Sequence, residues 1–178
     1  MKRVLGSVLI SKDDIQRRTR ELGRQISQDY AGKSVTLIAI LKGSFMFLSD
    51  VIRNISPEIP VEIDFMSVSS YGDSTTSSGT IVIEKDIEVK IEGRDIIIVE
   101  DIVDTGLTLH YLQDILQARA PKSVRTACLL SKPSRRKVDV QVDYIGFTID
   151  DHFVVGYGLD YAEKYRNLPH IAILGVES

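Results

Sequence analysis

The chain has 178 residues, 43% of them hydrophobic and 26% charged, which is typical of one globular domain, and we expect residues 1–178 to form a single domain. Its 22 lysine and arginine residues against 25 aspartate and glutamate residues give a net charge of −3, which argues against a protein that coats nucleic acid or an anionic membrane. The single cysteine excludes an internal disulfide and a cysteine-based zinc site. The sequence shows no signal peptide and no apolar run of ~20 residues, which predicts a cytoplasmic protein.

The first half of the chain alternates helix and strand signals. A helix is predicted after Ser11, a typical N-cap residue, because apolar residues recur there at helical spacing. The continuous β-rich run at 35–41 predicts a strand buried on both faces, and a short helix is expected from 44 to about 54. Residues 61–70 are predicted to form the next strand, and 80–87 its return strand.

The second half repeats this alternation. A buried strand is predicted at 94–99 and ends in two adjacent acids. A helix is expected from about 107 to 119, followed by strands at 124–130 and 142–149. Strands that alternate with helices predict an α/β fold with a doubly wound, mostly parallel sheet and flanking helices.

The most polar segment of the chain, residues 71–79, lies between the predicted strand at 61–70 and its return strand. It has almost no apolar side chains, so it cannot offset the entropy of becoming ordered by itself. Two interpretations stay open, a surface connection without function and a lid over a ligand site.

The strongest candidate site follows the strand at 94–99, because ligands of open α/β sheets bind at the carboxyl ends of strands. Glu100 and Asp101 can accept hydrogen bonds from ribose hydroxyls or lie in the outer shell of Mg²⁺. The loop from Asp104 to Thr108 opens a helix with free backbone N–H groups and threonine hydroxyls. This arrangement predicts a site for a phosphate monoester, and the alternative is a solvated strand end with Asp104 as a simple N-cap.

Residues 97–108 resemble the phosphoribosyl-pyrophosphate (PRPP) motif of the type I phosphoribosyltransferases, and the resemblance extends over nearly the whole chain. The hypoxanthine-guanine branch of that family is the most similar. The resemblance implies that Glu100 and Asp101 hold the ribose hydroxyls and help to place Mg²⁺, and that Asp104 is the general base near N7 of a purine. It also implies a small C-terminal hood and a loop that binds the 5′-phosphate. That loop comprises Asp104, Thr105, Gly106, Leu107 and Thr108.

Two further segments gain roles from the resemblance. Lys42 and Gly43, after the strand at 35–41, resemble the pyrophosphate loop of the family, in which an often cis peptide precedes the glycine. Lys132 matches the lysine that donates to the 6-oxo group of the purine. An ammonium group has three donors and no acceptor, so it favours a carbonyl over the amino group of adenine. The basic residues at 135–137 are expected to form a solvated turn.

The segment that begins at Phe153 continues the resemblance. Phe153 matches the residue that stacks on the purine, and the backbone of Val154 would recognise the edge of the base. Asp160 matches an acid near Mg²⁺ and near the 2-substituent of the base, and Arg166 matches a pyrophosphate contact. Core packing is the alternative for Phe153 taken alone.

The polar segment also gains an interpretation. Ser70 and Tyr71, followed by residues 72–79, resemble the start of the mobile catalytic loop of the family. Closure of such a loop over PRPP would exclude water from the reacting sugar.

We therefore expect a phosphoribosyltransferase domain that transfers the 5-phosphoribosyl group of PRPP to N9 of hypoxanthine or guanine. The resemblance implies Mg²⁺ as cofactor and a homo-oligomer, dimer or tetramer, with no nucleic-acid or membrane partner. Two alternatives stay open. One is an enzyme of the same fold that uses xanthine or a pyrimidine. The other is a PRPP-sensing regulator that binds nucleic acid, for which the chain has neither spare length nor positive charge.

Overall fold

The central sheet of the computed structural model, which describes residues 3–70 and 81–176, has six strands in the order β4-β3-β2-β5-β6-β7. Neighbouring strands are parallel except for β3 and β4, so the antiparallel strand lies at one edge. The strands are β1 (Arg3–Ile10), β2 (Val35–Leu41), β3 (Val61–Ser70), β4 (Ile81–Lys85), β5 (Asp95–Val103), β6 (Ser123–Ser131), β7 (Tyr144–Thr148), β8 (Val154–Val155) and β9 (Ile171–Val176). The helices are α1 (Lys12–Asp29), α2 (Phe45–Ile52), α3 (Leu107–Gln117) and a 3₁₀ turn at Pro133–Arg135.

The two faces of this sheet carry separate hydrophobic cores, because successive side chains of a strand point to opposite sides. On one face Leu37 and Ala39 of β2 pack with the buried residues of α1 and α2. On the other face Ile38 and Ile40 pack with the buried leucines of α3. Helices therefore cover both faces, and the predicted doubly wound α/β fold is confirmed.

Helix α1 begins where the sequence predicts. The side chain of Ser11 accepts a hydrogen bond from the backbone N–H of Asp14 at 3.1 Å and donates to the Asp14 carboxylate at 2.7 Å. The apolar residues spaced along the helix, Ile15, Leu22 and Ile26, are all buried. The cap and the apolar stripe together fix both the start and the orientation of the helix.

One boundary predicted from the sequence is wrong. β5 does not end at the two acids but continues to Val103, so Glu100 and Asp101 lie within the strand. The cause is the neighbouring β6, whose ladder with β5 runs on through the pairs Glu100–Cys128 and Val103–Ser131. The other predicted helices and strands of the central sheet are found, with ends within about two residues of the expected bounds.

A second, three-stranded sheet has the order β1-β9-β8 and forms the hood. β1 pairs antiparallel with β9, as in the pair Val4–Gly175, so the hood is built from both ends of the described chain rather than from the C-terminal end alone. The sequence analysis did not predict β1, because most of its side chains are exposed and it lacks a clear apolar alternation. Of the helices in the described ranges, none has the length and apolar character needed to cross a membrane.

Candidate active site

The candidate residues meet at one edge of the central sheet. β2, β5 and β6 are adjacent and parallel, so their carboxyl ends lie side by side. Lys42 follows β2, Asp104 follows β5 and Lys132 follows β6. The strand order therefore brings together residues that are far apart in the sequence.

Two carboxylic acids, Glu100 and Asp101, are consecutive residues near the end of β5. The side chain of Glu100 is buried, and burial, reinforced by the neighbouring Asp101, holds its pKa well above the ordinary value of 4.5. Burial also raises the pKa of Asp101 to about 6, against the opposing effect of its own hydrogen bond from the Ile102 N–H at 2.7 Å and of the nearby Arg166. A cation at this point would favour the charged form of both groups.

The loop after β2 packs directly on these acids. The Leu41–Lys42 peptide bond is cis, a geometry that the sequence analysis left open. A Cβ atom at Gly43 would lie 1.6 Å from Oδ2 of Asp101, and one at Gly158 would lie 2.2 Å from the carbonyl oxygen of Gly43. Side chains at these two positions would separate the three segments, so glycine is required for their close approach.

The predicted phosphate loop opens α3. Gly106 has a left-handed φ of +84°, a conformation that glycine adopts without penalty, and it caps the helix without a side chain. The N–H of Leu107 lies 3.4 Å from Oγ1 of Thr105. A cavity of about 90 Å³ adjoins this turn and is lined by Glu100, Ile102, Val103, Asp104, Thr105, Gly106, Thr108 and Leu109. The positive end of the helix dipole and the free N–H groups make this cavity suitable for an anion.

Two basic residues after Lys132 support this loop. Arg135 lies exposed in a turn, as expected, but the expectation of a solvated turn is wrong for Arg136. Arg136 donates to the carbonyl oxygens of Val103 and Asp104 and, at 2.8 Å, to Oγ of Ser131. Nε of Arg135 donates to Oδ1 of Asp104 at 3.2 Å. Consecutive basic residues carry no periodic signal that would reveal such contacts with a neighbouring loop.

A buried lysine after β6 and an exposed ring before β8 complete the set of candidate residues. Lys132 is 6% exposed, and its ammonium group donates to the carbonyl oxygen of His152 at 2.6 Å and lies 3.5 Å from Oδ1 of Asp151. Phe153, the residue after His152, is 45% exposed, so its ring does not pack in the core. Val154 is buried in β8 and pairs with β9 of the hood.

Two further residues contact the ring of Phe153, and sequence reasoning missed both roles. The Tyr161 ring meets it edge to face, with centroids 5.9 Å apart and an interplanar angle of 88°. Cζ of Arg3, from β1, lies 4.9 Å from the Phe153 centroid and 5.7 Å from that of Tyr161. These contacts fix the orientation of an exposed aromatic side chain.

Arg166 organises the loop that follows β8. One guanidinium nitrogen donates to the carbonyl oxygen of Gly158 at 2.7 Å, and the other lies 3.0 Å from Oδ1 of Asp160 and 3.2 Å from Oε1 of Glu163. Oε2 of Glu163 in turn lies 3.2 Å from Nζ of Lys42. The two predicted pyrophosphate cations are thus joined by an acid that the sequence analysis did not single out.

The candidates form one connected group, with two exceptions. Asp101 touches the Gly43 loop, the Gly43 loop touches Gly158, and Gly158 accepts from Arg166. Ser70 ends β3, where its backbone pairs with Ile81, and Tyr71 lies outside the described residues. The proposed lid therefore stays a prediction.

Comparison with known proteins agrees with this geometry. Residues 11–162 match the family model of the phosphoribosyl transferase domain. The hypoxanthine-guanine phosphoribosyltransferase of Bacillus subtilis (strain 168) is 49% identical over 174 residues, which are 98% of this chain and 96% of that protein. The chain belongs to the phosphoribosyltransferase family. The phosphoribosyltransferase of the same name from Streptococcus agalactiae serotype V is 50% identical over 173 residues, covering 97% of this chain and 95% of that protein.

Solved phosphoribosyltransferase structures share the fold. A hypoxanthine phosphoribosyltransferase from Staphylococcus aureus has a TM-score of 0.91 and 48% identity, over 96% of this chain and 92% of that chain. A hypoxanthine-guanine phosphoribosyltransferase from Bacillus anthracis, with HEPES in its active site, has a TM-score of 0.90 and 47% identity, over 98% of this chain and 100% of that chain. The bifunctional protein TilS/HprT of Listeria monocytogenes serotype 4b is 47% identical, but the chain spans 26% of its length.

These findings place the chain in the hypoxanthine-guanine branch of the phosphoribosyltransferases. The predicted family, fold and enzyme class, a transferase of the glycosyltransferase type, are confirmed. The predicted reaction, phosphoribosyl transfer in purine salvage, is confirmed at the level of the family.

Proposed function

We propose that the edge of the sheet described above is where this chain transfers the 5-phosphoribosyl group of PRPP to N9 of hypoxanthine or guanine. The observation that carries this proposal is the position of the buried Lys132. Its ammonium group donates to the carbonyl oxygen of His152, the residue before the exposed Phe153, and its backbone N–H donates at 3.0 Å to the carbonyl oxygen of Val103, the residue before Asp104. The products are the nucleoside 5′-monophosphate and pyrophosphate.

Three parts of PRPP, the 5′-phosphate, the pyrophosphate and the ribose hydroxyls, each have a matching partner. The 5′-phosphate fits the N–H groups and hydroxyls at the start of α3, in the cavity that Thr105, Gly106 and Thr108 help to line. The pyrophosphate group fits Lys42, the backbone of Gly43 and Arg166. The ribose hydroxyls can donate to Glu100 and Asp101.

The acids at the end of β5 also fit Mg²⁺. Within residues 3–70 and 81–176 no three His, Cys, Asp or Glu side chains group into a metal site of their own. Mg²⁺ is commonly held by one or two carboxylates together with water and substrate phosphates, and Glu100 and Asp101 provide such a pair. Asp160 would have to change partners to join them, since one oxygen accepts from the Glu163 N–H at 2.8 Å and the other pairs with Arg166. When bound, Mg²⁺ neutralises charge on the departing pyrophosphate.

The purine is recognised at the hood side of the site. The ammonium group of Lys132 donates to the 6-oxo group, the ring of Phe153 stacks on the base, and the backbone of Val154 contacts its edge. Asp104 accepts the proton of N7 as N9 forms its bond to C1 of the ribose. An adenine amino group would place its N–H donors against the N–H donors of the Lys132 ammonium group, which disfavours that base.

The same proposal covers the polar segment, the domain organisation, the cellular location and the partners of the chain. Ser70 and Tyr71 begin a segment that closes over PRPP and excludes water, and support for this comes from the polar composition of residues 71–79. Residues 1–178 form one domain, in which β1 and β9 tie the two ends together. The chain acts in the cytoplasm as a homo-oligomer, with neither nucleic acid nor membrane as a partner.

A turnover assay with PRPP and Mg²⁺, offering hypoxanthine, guanine, xanthine, adenine and uracil separately, tests this function. We expect product from hypoxanthine or guanine, none from adenine or uracil, and loss of activity in EDTA. The Lys132→Ala variant should lose kcat/KM for the 6-oxopurine by about 10- to 100-fold while the Kd for PRPP changes little. Use of adenine, or equal losses for purine and PRPP in the variant, would contradict the role given to Lys132.

A further inference from the structure

Glu163 bridges the two cations that the proposed function assigns to pyrophosphate. Its Oε2 atom lies 3.2 Å from Nζ of Lys42, and its Oε1 atom lies 3.2 Å from Nη2 of Arg166. Lys42 and Arg166 belong to different loops at the edge of the sheet. One carboxylate therefore occupies N–H donors of both at the same time.

The backbone of Glu163 is fixed although its side chain is exposed. Its N–H donates to Oδ2 of Asp160 at 2.8 Å, and a pair of backbone hydrogen bonds joins Tyr161 to Lys164 across the turn. The side chain itself is 65% exposed, and that of Lys42 is 67% exposed. Exposed ion pairs are weak and exchange readily, so this carboxylate can leave its partners without disturbing the loop.

A bridging carboxylate and a bound pyrophosphate compete for the same donors. The hydrogen bonds from Arg166 and Lys42 lower the pKa of Glu163, which keeps it charged at neutral pH. A pyrophosphate group that approaches Lys42 and Arg166 meets this negative charge and must replace its oxygens on the same nitrogen atoms.

We propose that Glu163 is an internal competitor of pyrophosphate, bound to Lys42 and Arg166 in the free enzyme and displaced when the pyrophosphate group of PRPP binds. This inference rests on the proposed function, which places the pyrophosphate at those two residues. The carboxylate lowers the affinity for pyrophosphate, and it returns to the two cations as the product leaves. Glu163 thus increases the rate at which the product pyrophosphate leaves the site.

The substitution Glu163→Gln tests the proposal, because it keeps the size of the side chain and removes its charge. Titration calorimetry with inorganic pyrophosphate and Mg²⁺ should show a Kd lower by about three- to tenfold than in the unchanged protein, as expected for the loss of two exposed ion pairs. Stopped-flow measurement should show slower pyrophosphate release. Glu163→Asp, which keeps the charge but is too short to reach both cations, should give an intermediate Kd.

A matched control separates this effect from a general change in charge. Glu88 is 88% exposed and pairs with Lys85 at 3.6 Å, away from the site, so Glu88→Gln removes the same charge and should leave the Kd unchanged. The gain from Glu163→Gln should also shrink when it is introduced beside Lys42→Ala.

Opposite outcomes overturn the inference. An unchanged or higher Kd in Glu163→Gln would mean that the carboxylate has no competing role or that it positions the two cations for pyrophosphate. An undiminished gain in the Lys42→Ala background would mean that Glu163 does not act through Lys42. Failure of the proposed function is a separate result, since the unchanged protein would then bind neither PRPP nor pyrophosphate.

Discussion

At the scale of single residues, the candidate site buries two carboxyl groups, which lowers the stability of the fold when they are charged. Asp101 shows this most clearly, because burial raises its pKa from an ordinary 3.8 to about 6. A carboxyl group whose pKa is raised by folding stabilises the folded state while it is protonated. That contribution is present below the unfolded pKa and is lost as the pH rises through the folded value.

The pH dependence of unfolding tests this account of Asp101. Without Mg²⁺ or PRPP, Asp101→Asn should be more stable than the unchanged protein at pH 7, by about 3 kcal/mol at most. The advantage should shrink as the pH falls from 7 to below 4, because the native carboxyl group becomes neutral. Urea unfolding at several pH values measures the difference. A variant less stable at pH 7 would show that the charged Asp101 is stabilised by its surroundings.

In the proposed mechanism, the proton transfer depends on Asp104. Asp104→Asn keeps the shape of the side chain but cannot accept the N7 proton, so kcat should fall by about 100-fold or more, a typical contribution of general base catalysis. PRPP should still bind, which calorimetry can measure. Asp114→Asn, on the exposed side of α3, is a matched control that should retain full turnover. Unchanged turnover in Asp104→Asn would remove Asp104 as the base.

At the scale of elements, local patterns predicted most of the central sheet. The buried run of β2 and the capped, periodic α1 could be recognised because each signal lies within a few consecutive residues. β1 could not, since its partner is β9 at the other end of the chain and most of its side chains face solvent. The extension of β5 to Val103 likewise depends on its pairing with β6.

In the candidate site, too, residues within local motifs could be predicted, whereas contacts between distant segments could not. Asp104, Lys132 and Phe153 were predicted because each lies in a motif that the family shares. The contacts of Arg136 with the predicted phosphate loop, and of Glu163 with Lys42, arise between segments that meet through folding. No spacing within either segment encodes such a contact, so a structure was needed to find it.

At the scale of the whole molecule, the central sheet and the hood both contribute residues to the candidate site. The carboxyl ends of β2 and β5 present most of the groups proposed for PRPP, and the segment between β8 and β9 adds Arg166. The end of β6 and the start of β8 present most of the groups proposed for the purine. Arg135 lies between the two groups, with Nε 3.2 Å from Asp104 and Nη1 3.6 Å from Asp151. The reaction would therefore occur at the boundary of the two sheets, where N9 of the base and C1 of the ribose meet.

A crystal structure of the chain with inosine 5′-monophosphate tests this arrangement most directly, since that product carries both the phosphate and the 6-oxo group. We expect phosphate oxygens at about 3 Å from the N–H groups of residues 105–108 and the 6-oxo oxygen at a similar distance from Nζ of Lys132. The base should stack on Phe153. A nucleotide whose phosphate lies elsewhere, or whose base does not reach Lys132, would contradict the assignment of the site.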